Sequence, residues 1–119
     1  MGYRELPSPE LLRKLLRYDP ETGKLFWVAR PLDLFTSGHG RYTAERNQKI
    51  WNTRYSGTPA LNSHDGKGYL MGRIFKRGYF AHRVIWAMNY GEWPNDQIDH
   101  INQIKTDNRI RNLRVVSNA

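Results

Sequence analysis

The chain has 119 residues, 39% of them hydrophobic and 13% aromatic, with a formal net charge of +8 and no cysteine. That length suits one domain, or one small core with an appendage. The missing cysteine excludes disulfides and thiolate-ligated zinc and fits a reducing compartment. No apolar run is long enough to predict a membrane span, and no signal peptide is read, while the charge favours an anionic partner, most often nucleic acid.

Ser8-Pro9-Glu10 opens a predicted helix. Ser8 suits the cap, Pro9 the first helical position, and Glu10 the positive helix end. Leu11, Leu12, Leu15 and Leu16 recur at helical spacing as one apolar stripe. Arg13, Lys14 and Arg17 lie off it, as a solvated face or as phosphate contacts. Tyr18-Asp19-Pro20-Glu21-Thr22-Gly23 has turn composition, and Leu25-Phe26-Trp27-Val28 reads as a short buried strand.

Residues 30–62 are broken by Pro31, Gly38, Gly40, Gly57 and Pro59. Thr43 can cap a short helix running through Ile50 and Trp51. Arg41, Arg46, Lys49 and Arg54 outnumber Asp33 and Glu45. The stretch is either an insert lying along DNA or a surface loop with solvated charges. His39 and His64 fall in loops and carry no assigned role.

Gly68 to His82 reads as a hairpin, Tyr69 to Phe75 going out, Lys76-Arg77-Gly78 turning with Gly78 at positive φ, and Tyr79-Phe80-Ala81 returning. Arg73, Lys76 and Arg77 gather there, suited to a nucleic-acid backbone or to a solubilising edge. His82 to Tyr90 is a predicted helix stopped by Gly91 and Pro94, with Val84, Ile85 and Met88 as its core face. Trp86 and Trp93 are expected to pack it onto a final hairpin.

That hairpin is the informative stretch. Ile98-Asp99-His100 ends an apolar approach, a polar loop follows, and Leu113-Arg114-Val115-Val116 reads as the returning strand. The run Asp99-His100-Ile101-Asn102, then Asp107-Asn108-Arg109, then Asn112-Leu113, resembles the HNH nuclease family, in its phage and bacterial branch with a D-H-I-N-G-x-x-x-D-N-R-x-x-N-L motif. The leucine-rich helix, D-P-E-T-G turn and aromatic strand near the N-terminus resemble the same branch.

The resemblance implies a metal-dependent endonuclease that nicks or cleaves double-stranded DNA, leaving 5′-phosphate and 3′-hydroxyl ends. It implies His100 as general base, Asp99 as ligand to a divalent ion (Mg²⁺, with Mn²⁺ or Zn²⁺ as alternatives), and Asn112 as the amide that braces the loop and fixes the histidine. Asn108 reads as loop support, because Asn bonds its own backbone and tolerates left-handed turns. Arg83, Lys105, Arg109, Arg111 and Arg114 join Arg73, Lys76 and Arg77 as expected phosphate contacts. His82 matches the head of an H-R pair, as a packing residue, as support for the site or as a DNA contact. Adjacent strand residues face opposite ways, so Asp99 and His100 can share a site only if the strand bends or ends there.

The motif departs at Gln103, where the family usually has Gly for a tight or left-handed turn. The family's last helix and its final ligand would fall just past Ala119, with Ser117 as cap and Asn118 too early to substitute, so a truncated last helix is expected. The expected fold is α+β: an N-terminal helix, a small antiparallel sheet, a bridging helix and a C-terminal ββα-metal hairpin. Residues 1–67 would hold the helix, strand and basic insert, and residues 68–119 the hairpin, bridging helix and HNH core. A bacterial or phage-infected cytoplasm is the expected setting, with no membrane partner. A non-catalytic DNA-binding module is the rival, and an RNA-binding protein the third reading, the latter needing exposed stacking aromatics.

Overall fold

The computed structural model describes residues 5–37 and 42–117; Gly38, His39, Gly40, Arg41, Asn118 and Ala119 lie outside it. The fold is α+β, as expected: α1 (Pro9–Leu15), β1 (Leu16–Asp19), β2 (Lys24–Trp27), α2 (Ala44–Tyr55), β3 (Pro59–Ala60), β4 (Ser63–His64), β5 (Leu70–Ile74), β6 (Arg77–Phe80), α3 (Ala81–Tyr90), β7 (Gln97–His100) and β8 (Leu113–Val116). The strands form three antiparallel sheets, in the orders β1-β2-β3, β4-β5-β6 and β7-β8. Among the described residues no helix is long and apolar enough to cross a membrane.

α1 begins as its sequence dictates. The Ser8 hydroxyl accepts from the Leu11 amide at 3.1 Å, and Pro9 follows at the first position. The leucine stripe then divides. Leu12 and Leu15 are buried on the helix, whereas Leu16 is buried as the first residue of β1. Helical spacing alone did not reveal this strand.

The core joins both ends of the chain, with Leu12, Leu15, Val84 and Ile85 at its centre beside Ile98 and Leu113. The fork of Arg13 donates to the Met88 carbonyl (Nε 3.0 Å, Nη2 2.7 Å) and so ties α1 to the last turn of α3. Gly91 ends α3 in the left-handed conformation its position demanded. Trp86 lies against Tyr90 of its own helix, and Trp93 against Tyr79, donating its indole N–H to the Pro7 carbonyl at 2.7 Å.

Thr43 caps α2 by accepting from the Arg46 amide, and the helix runs past Trp51 to Tyr55. In the β5–β6 hairpin the turn is not Lys76-Arg77-Gly78. Ile74 pairs with Arg77, so the connection is Phe75-Lys76, and Phe75 takes the positive φ of 55°. Gly78 sits in β6, where a Cβ would meet the Met71 side chain at 3.3 Å. Close packing against the neighbouring strand, not turn geometry, explains that glycine.

Candidate active site

β7 ends at His100, and its side chains alternate: Ile98 and His100 point into the protein, Asp99 outward. His100 is 4% exposed, its Nε2 lying 2.8 Å from Oδ1 of Asn108. An amide oxygen offers only lone pairs, so the ring donates through Nε2, and in the neutral tautomer that fits this bond the lone pair is on Nδ1. Asn108 is itself 1% exposed. The direct hold on the histidine therefore falls to the loop residue Asn108.

Asn112 braces the loop instead. Its Oδ1 accepts from the Asn102 amide at 3.0 Å, and its Nδ2 donates to Asn102 Oδ1 and to the Asp107 carbonyl. Gln103 adopts φ 65° between these bonds and donates its amide to the His100 carbonyl. The left-handed turn expected of a glycine is present with glutamine in it. Asp107 closes the loop by accepting from both Arg109 Nε (2.8 Å) and Nη2 (2.6 Å) and from Asn102. The Arg109 side chain above all, then the Asn102 amide, hold the Asp107 carboxyl well below the usual carboxylate range.

The N-terminal turn underlies this loop. Asp19 organises it, accepting from the Glu21 amide and the Thr22 hydroxyl while its carbonyl accepts from Gly23. Tyr18 Oη donates to the Asn108 carbonyl at 2.8 Å. Gly23, at φ 77°, lies so close that a Cβ would fall 2.5 Å from the Arg109 nitrogen and 2.6 Å from the Asn108 carbonyl carbon. Only glycine accommodates both the left-handed backbone and that approach. The D-P-E-T-G turn is thus the seat of the loop that holds His100.

His82 completes the buried surroundings. Its ring centroid is 5.1 Å from that of His100, and Tyr69 packs on both rings. Its Nδ1 is buried without a partner among the described residues. Burial first, then the facing His100 and Arg83, push its pKa down to about 4, so it is neutral at ordinary pH. Of the readings open for His82, the structure places it beside the expected base.

Asp99 faces the other way. Its Oδ2 accepts from Arg114 Nε at 3.0 Å and pairs with Nη2 at 2.9 Å, the two residues being cross-strand partners. Among the described residues no cluster of three His, Cys, Asp or Glu side chains is placed to hold a metal. Asp99 alone, engaged by an arginine, does not make a divalent-metal site.

The expected phosphate contacts divide in two. Arg83 donates to the carbonyls of Asp96 and Pro94, Lys105 to that of Lys67, while Arg109 holds Asp107 and Arg114 holds Asp99. Arg73, Lys76, Arg77 and Arg111 are exposed and meet no carboxylate among the described residues. The sequence reading missed the Tyr18 and Gly23 seat, although the D-P-E-T-G resemblance marked that turn. It also missed Arg30, which is buried against aromatic rings and carried no signal in its own neighbourhood.

Residues 79–119 match the family model of the HNH endonucleases. The HNH resemblance read from the motif is borne out over this stretch, which runs from β6 to the end of the chain and contains His82, Asp99, His100, Asn108 and Asn112. No curated protein and no solved structure matches the chain.

Proposed function

We propose that this chain is an endonuclease that hydrolyses phosphodiester bonds of double-stranded DNA. The observation that carries the reading is the fixed His100 within the family-matched stretch, its Nε2 committed to Asn108 and its Nδ1 left as a base. A neutral imidazole suits deprotonation of a water molecule near pH 7. The water oxygen attacks phosphorus, its proton passes to His100 Nδ1, and the P–O3′ bond breaks; the departing 3′-oxygen takes a proton from solvent, leaving a 5′-phosphate and a 3′-hydroxyl. Asn108 keeps the ring in one tautomer and Asn112 keeps the loop closed. Arg73, Lys76, Arg77 and Arg111 supply a cationic surface for backbone phosphates. The family resemblance implies Mg²⁺ or a similar ion; Asp99 would give it one ligand only on leaving Arg114, with substrate phosphate oxygens and water as the others.

A second reading, a DNA-binding module without turnover, is favoured by one observation: Asp99 is paired with Arg114 and, among the described residues, is not grouped with other metal donors. Cleavage of supercoiled plasmid with Mg²⁺, Mn²⁺ or EDTA, by this chain and by His100→Ala, decides between them. Metal-dependent nicking that drops by about 10²-fold or more in His100→Ala is the expected result. Retardation of DNA on a gel with no nicking by either protein would leave the binding module.

A further inference from the structure

Arg30 is 9% exposed, and its guanidinium carbon lies 3.8 Å from the ring centroid of Trp51, 5.0 Å from that of Phe75 and 5.2 Å from that of Trp27. Its backbone is fixed from α2: the Arg30 amide donates to Asn52 Oδ1, and its carbonyl accepts from Gln48 and Asn52. The charged head is not fixed in the same way. No carboxylate pairs with it among the described residues, and its Nε is buried without an acceptor. A buried cation ordinarily has a counter-charge. Aromatic faces attract a guanidinium but bring no negative charge.

The missing partner has a place. A recess of about 350 Å³ opens beside Arg30, lined also by Arg73, Trp27, Trp51, Tyr55 and Phe75. Arg73 is exposed and has no ion pair among the described residues. Two arginines lining one recess suit a phosphate. The rings around it suit the apolar edge of a sugar.

We propose that this recess is a second contact for the DNA strand, taking a backbone phosphate between Arg30 and Arg73 with its nucleotide against the aromatic wall. The proposal rests on the DNA reading above and adds to it a site remote from His100. Tyr69 touches the His100 ring at one end of β5, and Phe75 faces Arg30 just beyond the other. Five residues of strand span roughly 17 Å, which is about five base-pair steps of duplex at ~3.4 Å each. A duplex lying along β5 therefore reaches both places, with about half a helical turn between them.

The test is a titration of the full chain, ¹⁵N-labelled at its tryptophans, with a duplex of defined sequence in EDTA, and separately with inorganic phosphate. The duplex should move the indole signals of Trp27 and Trp51 and leave that of Trp86 in place. Arg73→Ala, a change at an exposed residue, should weaken duplex binding about tenfold with an unaltered circular dichroism spectrum. Arg30→Lys, which keeps the charge but loses the planar fork, should weaken it similarly. Retarded DNA with unmoved Trp27 and Trp51 signals would overturn this site while sparing the nuclease reading. No retardation at all would overturn both. Movement with inorganic phosphate but none with duplex would assign the recess to a free anion and overturn the strand contact.

Discussion

The His100 loop and the Arg30 recess both hold a buried nitrogenous side chain, yet they are finished differently. In the loop, Asp107 is held by Arg109 and Asn102, Asn102 by Asn112, and His100 by Asn108, all within a dozen positions of sequence. Around Arg30, the rings arrive from β2, α2 and the β5–β6 turn, and no negative group accompanies them among the described residues. A loop whose polar groups satisfy one another keeps its shape before any ligand arrives. A buried cation without a counter-charge is a weakness in the fold unless a ligand supplies one.

The comparison breaks most severely at Gly23. Gly23→Ala combines an unfavourable left-handed backbone with a near-contact on Asn108 and Arg109, and should cost roughly 2–4 kcal/mol. Denaturant unfolding reads the loss. Nicking should fall with it even where the protein remains folded, since the displaced loop carries the histidine's acceptor. Unchanged stability in this variant would mean that the N-terminal turn does not seat the loop.

The second test uses acid. His82 binds a proton with pKa about 4 when folded and about 6.5 when unfolded. The unfolded chain therefore takes up more protons within that window, and stability falls as pH drops from 6.5 toward 4. The loss should approach roughly 2–3 kcal/mol. His82→Phe should flatten this acid limb, which chemical unfolding at a series of pH values would measure.

Asn108→Ala is a smaller step. It leaves a buried ring N–H without its acceptor and should cost about 1–3 kcal/mol. Asn108→Asp would set a carboxylate against the imidazole and favour the imidazolium, so the acid limb of the pH–rate profile should move to higher pH. An unmoved profile would show that the histidine is held by something other than residue 108. The mildest change is Gln103→Gly, which relieves a left-handed glutamine and should stabilise by up to about 1 kcal/mol in thermal or denaturant unfolding.

What could be read from the sequence follows the same division. Caps and stops are local chemistry, and Ser8, Thr43 and Gly91 act where their neighbours implied. The unusual turn at Gln103 was legible because the motif marked the position. β1 was hidden because Leu16 continues the helical stripe by spacing although its backbone is already extended. The Phe75-Lys76 turn was hidden because register across the hairpin overrode the preference of glycine for turns, placing Gly78 in the strand. Asn108 read as loop support because nothing local says that its side chain turns inward to a ring eight positions earlier. Arg30 was illegible for the strongest reason: its surroundings come from residues far apart in sequence.

The bond from Tyr18 to the Asn108 carbonyl joins residues ninety positions apart. Such a closure belongs late in folding, after the local hairpins and helices have formed. During synthesis the turn at Asp19–Gly23 emerges well before the loop it will carry. The histidine thus acquires its fixed geometry only after the span from Tyr18 to Asn108 is available. On refolding from denaturant, recovery of any DNA cleavage should lag behind recovery of helical signal.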